Sequence, residues 1–387
     1  PTASCHYRSY KHDYFKFNPV PFNSPYYGNS ISYPFTVPNS SSTNLYQSVI
    51  LNLRQIDGNF GKLVLSNSSR TDYPSSKKLD EMTLFFKNNV VKKIKFNYSY
   101  FDSKNSITVK DRAQQLGVGF DYNKVTNDQL SKRLKLNSIL INNSDSYNFV
   151  YDETFLVNKD SFAVDYWGNF NGQTANNTLF AKPTDFNVNI PINNDYNNNI
   201  KTSSLAHAKS GVLTKIIYPT KGYSTFEYEL NSADNLFENT SSITVGQGLR
   251  LKKHSNYGND ALLLSSTIFG YEGGRSINPL DLFKDYRYLT AFTTVPRHGV
   301  HDVYSYQIKA TLANSDNNVS PLSSGNILGY SKVIKSEVDE NGNSKGKTIT
   351  TYHNNVDIRK ELMDDNIPVY IPTIKNNNFQ DNGSIKE

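Results

Sequence analysis

The sequence predicts an all-β protein, built mainly from antiparallel sheets and stacked hairpins, with few short helices. Three observations lead there. Apolar residues recur at every second position in run after run, the period that places them on one face of a strand. Turn signals rich in Asn, Gly and Pro separate the runs. Asn supplies 49 of the 387 residues, and it favours turns over helix interiors because its side chain competes for backbone hydrogen bonds. The composition is also strand-like: 27 Tyr and 22 Phe stand out, while the strong helix formers Ala, Glu and Leu are scarce.

The first 45 residues are rich in Pro, Tyr, Ser and Asn. Five prolines between Phe17 and Ser42 disfavour helix and central strand, which predicts an extended strap laying its aromatics on a larger body. A β-rich region follows over 46–200. Ser48–Leu53 reads as a strand and Asp57-Gly58 as a turn, with Lys62–Ser66 closing a hairpin. Met82–Phe86, a turn at Asn88-Asn89 and Val90–Tyr100 repeat the pattern, with Ile94, Phe96, Tyr98 and Tyr100 on one face. Residues 111–132 break the alternation, and Thr126 to Leu130 reads as a short capped helix. Leu134–Ile141 and Tyr147–Tyr151 form another hairpin about Asn142-Asn143.

Residues 201–375 read as a second hairpin region. In GVLTKIIYPTKGYSTFEYE (Gly211 to Glu229) the residues Val212, Thr214, Ile216 and Tyr218 share a face, as do Ser224, Phe226, Tyr228 and Leu230. Pro219 suits the first corner of the turn and Gly222 a left-handed closing position. A short helix is expected near Asn278–Lys284. Strands follow at Ser305–Leu312, Gly329–Val338 and Lys347–Tyr352, the last two joined by a turn at Asp339-Glu340-Asn341-Gly342. Residues 376–387 form a polar tail. The opening at Pro1 without a signal peptide reads as a processed or trimmed piece of a longer protein.

Composition and charge exclude several classes. Only 37% of the chain is hydrophobic and 20% charged, unlike a coiled coil, a collagen or a long disordered tail. No apolar run approaches the roughly 18–20 residues of a membrane helix. The single Cys5 leaves no internal disulfide and no Cys-based zinc site. The net charge of +6 is scattered. Lys92-Lys93-x-Lys95, Lys132-Arg133-x-Lys135 and Arg250-x-Lys252-Lys253 sit at the edges of alternating runs and read as solvated strand faces, so no nucleic-acid partner is expected.

Three segments carry a family resemblance. The first is DYWGNFNGQTANNTL (Asp165 to Leu179), preceded by Asp160–Val164. The second is Gly211 to Glu229. The third pairs Gly248–Lys253 with Gly329–Val333 and a later Lys345–Thr348. In this order the set resembles the region ahead of the YD repeats in large RHS/YD-repeat proteins of the Bacteroidetes, over roughly residues 80–360. Residues 111–132 depart from the pattern, and the first 75 residues carry no likeness. The resemblance implies a β-shell of stacked hairpins and a non-enzymatic structural module of an exported protein, secreted or at the cell surface. Its implied roles are shell, scaffold or carrier of an effector. Its implied partners are downstream YD repeats or a secretion or surface component, such as the type IX machinery of this phylum. Family members that are polymorphic toxins keep their enzyme at the far C-terminus, beyond the repeats. The alternative is an adhesin module that binds glycans or a partner protein through its aromatics.

The motif residues are Asp165, Tyr166, Trp167, Gly168 and Gly172 in the first segment, and Tyr218, Pro219, Gly222, Phe226 and Tyr228 in the second. The lone Trp167 is read as an anchor filling a gap left by Gly168 and Gly172, in preference to a sugar-stacking platform. No catalytic constellation appears: there is no phosphate-binding glycine loop, nucleophile elbow or His-Glu-x-x-His. Cys5-His6 lies in the strap. His298-x-x-His301-Asp302 reads as loop residues rather than a metal site, and the Asn-rich loop at 187–199 lacks the Asp spacing and bidentate Glu of a calcium loop. Asp152, Glu153, Glu227 and Glu229 read as outward strand residues. The expectation is therefore no cofactor, no metal and no enzyme.

Overall fold

Two-residue periodicity with short turns makes neighbours in sequence neighbours in a sheet, and the computed structural model carries this through most of the residues it describes. It describes residues 2–19, 39–49, 52–74, 76–104, 106–108, 110–111, 125–177, 200–234, 236, 245–276, 283–291, 304–315, 328–355, 362–364, 367–371 and 383–386. In chain order the elements are β1 (Thr2–Pro19), β2 (Asn39–Val49), β3 (Gln55–Gly58), β4 (Gly61–Ser69), β5 (Lys77–Phe86), β6 (Asn89–Lys104), α1 (Asn127–Ser131), β7 (Lys132–Ile141), β8 (Asp145–Tyr151), β9 (Leu156–Val157) and α2 (Leu205–Ala208). They continue as β10 (Leu213–Ile217), β11 (Tyr223–Ser232), β12 (Val245–Tyr257), β13 (Leu263–Ser276), β14 (Phe283–Ala291), β15 (Tyr304–Ser315), β16 (Leu328–Val338), β17 (Ser344–Thr351), β18 (Leu362–Asp364) and β19 (Ile367–Ile371). The all-β expectation holds, and the described residues contain only two short helices.

The main sheet has 13 strands. Twelve follow one antiparallel path, β17-β16-β13-β12-β11-β10-β8-β7-β6-β5-β4-β3, and β9 pairs with β6 beside it. A separate sheet runs β14-β15-β1-β2, and β18 pairs with β19. Directly opposed residues point to the same side, and the registers show the sheet to be amphipathic from β3 to β10; beyond β10 the apolar face gives way to Ser224–Asn256–Ser265. One face carries the rows Ile56–Leu63–Leu84, Leu65–Met82–Ile94–Ile141 and Phe96–Ile139–Tyr147, and further on Phe149–Ile216. The other carries Asp57–Lys62, Glu81–Lys95 and Lys215–Thr225–Ser255–Ser266.

That apolar face is only half covered. Among the described residues, the buried apolar side chains are Val125, Leu130, Val157, Phe162, Ala163, Val164, Tyr166, Trp167, Ala233 and Leu236. None of them belongs to the twelve strands of the path. The dense core instead sits in the 160–167 segment and its surroundings.

Local chemistry explains the turns. Lys87 and Asn88 both have positive φ (47° and 69°) in a two-residue loop between β5 and β6, the geometry that matches strand twist. Asn142 and Asn143 also have positive φ (50° and 60°), in a three-residue loop between β7 and β8. α1 begins with the expected cap: Thr126 and Gln129 exchange side-chain and backbone hydrogen bonds in a capping box.

Several expectations are corrected. The strand predicted at Ser48–Leu53 does not form the first hairpin of the main sheet. Val49 ends β2 on β1, and β3 (Gln55–Gly58) pairs with β4 across a turn at Asn59-Phe60. The turn thus falls two residues after the Asp57-Gly58 signal. The N-terminal strap is extended, but as a strand: β1 is central in its sheet, between β15 and β2. The prolines that argued against this start at Pro19, where β1 stops. The helix expected at Asn278–Lys284 is replaced at its end by β14, which starts at Phe283, in keeping with the Tyr-rich alternation that follows. Residues 278–282, the Asn-rich loop at 187–199 and His298, His301 and Asp302 lie outside the described residues.

Candidate functional site

The most buried part of the described chain is the first motif segment. A loop can be buried only if its backbone polar groups find partners, and here short polar side chains provide them. Asp165 Oδ1 accepts from the backbone N–H groups of Trp167 and Asn169, both at 2.9 Å, and Oδ2 accepts from Ser203 Oγ at 2.6 Å. Burial pushes the Asp165 carboxyl up. The bonds from Ser203, Asn169 and Trp167 and the charge of Lys201 oppose that shift. Lys201, 1% exposed, donates from Nζ to the Val164 carbonyl. Asn171 donates to the carbonyls of Ile200 and Thr202, and Asn176 both donates to Ile200 O and accepts from its N–H. Residues 200–203 are thereby tied to 164–176.

Apolar contacts lock this knot onto the sheet. The Trp167 ring lies against Gly246 of β12, where an added Cβ would fall 2.1 Å from the ring. Tyr166 meets Trp167 edge-on at 5.8 Å. Phe170 packs edge-on to both Phe155 and His207, and Gly172 leaves the space that the His207 ring fills. The gap filled by Trp167 thus lies at Gly246, while the one at Gly172 is filled by His207. Gly168 serves instead at a left-handed turn position, φ 88°.

The second segment forms the β10–β11 hairpin. Lys221 N–H donates to Tyr218 O, with Pro219 at the first corner. The left-handed residue is Lys221, φ 71°, one position before the expected Gly222. Gly222 is needed for a different reason: a Cβ there would sit 2.9 Å from the Tyr257 carbonyl. Tyr218 shares a hydroxyl hydrogen bond with Ser224 at 2.9 Å. Phe226 stacks on His254 at 5.0 Å, and Tyr228 OH donates to Leu213 O.

The structure brings the three motif segments together. Asn169, near Gly248, and Trp167 join the first segment to β12. Arg250 of β12 then donates to Glu229 at 2.7 Å and to Tyr330 OH at 2.8 Å. The guanidinium lies over the rings of Tyr271 and Tyr330, while Tyr330 OH donates to Asn231 Oδ1. One arginine therefore ties β11, β12, β13 and β16. Glu229, read as an outward residue, is a partner in this staple.

A second charged cluster carried no signal in the sequence, because its members are scattered from 70 to 159. Arg70 grips Asp72 with two bonds, 2.9 and 2.7 Å. Lys159 stands 3.9 Å from the same carboxylate and 4.2 Å from the centre of the Tyr73 ring. Burial raises the Asp72 carboxyl, but Arg70, Lys159 and the Leu134 N–H bring it below its ordinary range. Burial lowers Lys159 to about 8 against the pull of Asp72, with Arg133 and Arg70 adding to the depression. Arg133, also lowered by burial, is held by Ser103 and the Val157 carbonyl.

An open groove of about 510 Å³ lies over β4–β6. Its walls include Lys78, Asp80, Glu81, Lys95, Phe96 and Tyr98. Among the described residues, no group of three or more His, Cys, Asp or Glu side chains gathers as for a metal ion. No described helix is long and apolar enough to cross a membrane. Comparison with family models, curated proteins and solved structures finds no match for this chain.

Proposed function

We propose that the chain is a non-enzymatic structural module of a large exported RHS/YD-repeat-like protein. In this reading it acts as a wall of a β-shell, a scaffold or an effector-carrying passenger, secreted or displayed at the cell surface. The observation that carries the reading is the amphipathic part of the sheet: β3 to β8 and β10 present an apolar, Ile- and Leu-rich face without one fully buried apolar side chain. Such a face gains stability when a second layer covers it. Downstream YD repeats of the same polypeptide, or a secretion or surface component such as one of the type IX system, are the proposed cover. The convergence of the three family-like segments on Trp167, Arg250 and Tyr330 supports the likeness, since that convergence makes them parts of one junction.

The groove over β4–β6 favours a second reading, an adhesin surface. Carboxylates beside Phe96 and Tyr98 could hydrogen-bond and stack on a glycan. Protease shaving of the native host, followed by pull-down of the chain, tests the primary reading. Surface exposure together with a co-purifying repeat or surface component is the expected result. Recovery in the cytoplasm without either would refute it, and retention on a glycan array abolished by Phe96→Ala would favour the adhesin.

A further inference from the structure

The two end strands of the main sheet are complementary to each other. With twelve antiparallel strands on the path, β3 and β17 run in opposite directions. A second copy moved along the sheet therefore brings its β17 antiparallel to β3, without breaking the alternation.

The hydrogen-bonding phase also fits. The Leu65 N–H donates to Arg54 O at 2.8 Å, so residues 54, 56 and 58 turn toward β4 and residues 53, 55 and 57 turn outward. At the other end Tyr352 N–H donates to Ser331 O at 2.9 Å, so residues 347, 349 and 351 turn outward. Lys386 N–H already occupies the outward Thr351 carbonyl. That leaves Lys347 and Ile349 facing Asp57 and Gln55, enough for about four backbone hydrogen bonds.

Side chains agree with this register. Asp57 lies on the polar face with Lys62. Lys347 is opposite Ser336 and Ile349 opposite Ile334. Ser336 in turn lies opposite Ile268, and Val338 opposite the polar-face Ser266, so Lys347 and Ile349 belong to the same face as Asp57. Asp57 and Lys347 are exposed, and Asp57 is held only by the neutral Gln55 amide, at 2.9 and 2.7 Å. Apolar side chains flank the β3 edge: Leu53 and Phe60 are each more than half exposed, and Ile56 is 40% exposed.

We infer that a second copy of this chain docks its β17 edge on β3, head to tail, with Asp57 opposite Lys347 and Gln55 opposite Ile349. The inference uses the sheet edges alone and stands or falls apart from the shell reading, which uses the apolar face. A contact of this size is weak and concentration-dependent, and because the arrangement is heterologous it extends instead of closing.

Sedimentation equilibrium of the full chain over a concentration series tests it. The average mass should rise with concentration. Asp57→Lys and Lys347→Asp should each weaken association several-fold, and an equimolar mixture of the two variants should restore it, because the opposite charges then meet at every junction. Gln55→Pro removes an outward N–H that β4 does not use, and should abolish association with an unchanged far-ultraviolet spectrum. A chain monomeric at every concentration overturns the inference. So does association indifferent to Gln55→Pro, or a mixture no better than either variant alone.

Discussion

At the residue scale, the structure turns on single side chains whose partners are far away in sequence. Trp167 is 7% exposed and packs against Gly246. Trp167→Ala should lower stability by about 3–5 kcal/mol, read as a shift in denaturant midpoint. Gly246→Ala meets the ring from the other side and at φ 152°, so it should cost about 1–3 kcal/mol by overpacking. Near-equal stability of either variant and the parent would contradict the contact. Lys159 makes a pH prediction. Its folded pKa, about 8, lies below the roughly 10.4 of an unfolded lysine. Between those values the unfolded chain binds more protons, so stability rises with pH there. Below pH 8 the buried ammonium is a penalty on the order of 2 kcal/mol after allowance for screening. Lys159→Met should remove the rise, measured as denaturant stability at pH 7 and at pH 10.5.

At the element scale, the β10–β11 hairpin offers a sharper test, because its turn places Lys221 at positive φ. A left-handed non-glycine residue costs about 1 kcal/mol, so Lys221→Gly should stabilise the chain by up to that amount. Gly222→Ala should destabilise it through the Tyr257 carbonyl. Thermal midpoints of the two variants should move in opposite directions. The same hairpin shows how far sequence carried. Period-two alternation located its strands and their shared faces, since that information is local. The strained residue was placed one position late, because Gly permits positive φ without requiring it, and the contact with Tyr257 that demands Gly222 comes from β12. For the same reason the first motif segment was legible as a buried anchor, while its real supports, Gly246 and His207, were not. Nothing within Arg70, Asp72, Arg133 and Lys159 marks them as one cluster until β6, β7 and β9 bring them together. β3 was missed because Ser48–Leu53 is the more hydrophobic run, and pairing with β1 took part of it.

At the scale of the whole molecule, the sheet and the knot follow opposite rules. The knot of 160–176 and 200–211 is dense and tied by polar side chains, so it holds its shape without a large apolar core. Among the described residues the strands of its path hold no fully buried apolar side chain, so the apolar face behaves as a surface that a second layer would stabilise. This difference predicts how substitutions scale. A fully buried Ile or Phe costs about 2–5 kcal/mol when cut to Ala, in proportion to the apolar area that leaves water on folding. Ile94, Ile139 and Phe149 are only half-buried in their strands. Each Ala substitution there should cost about 1 kcal/mol, whereas Phe162→Ala, at 0% exposure, should cost the full 3–5 kcal/mol. The native chain should also bind the apolar dye ANS while keeping its near-ultraviolet circular dichroism, which separates an exposed native face from a molten globule. Polar replacements at Ile94, Ile139 and Phe149 should reduce that dye signal, and a polar replacement at exposed Leu262, away from those rows, should not. Equal costs at sheet and knot positions, or a native state that ignores the dye, would mean the face is already covered, and the case for a second layer from downstream repeats would fall with it.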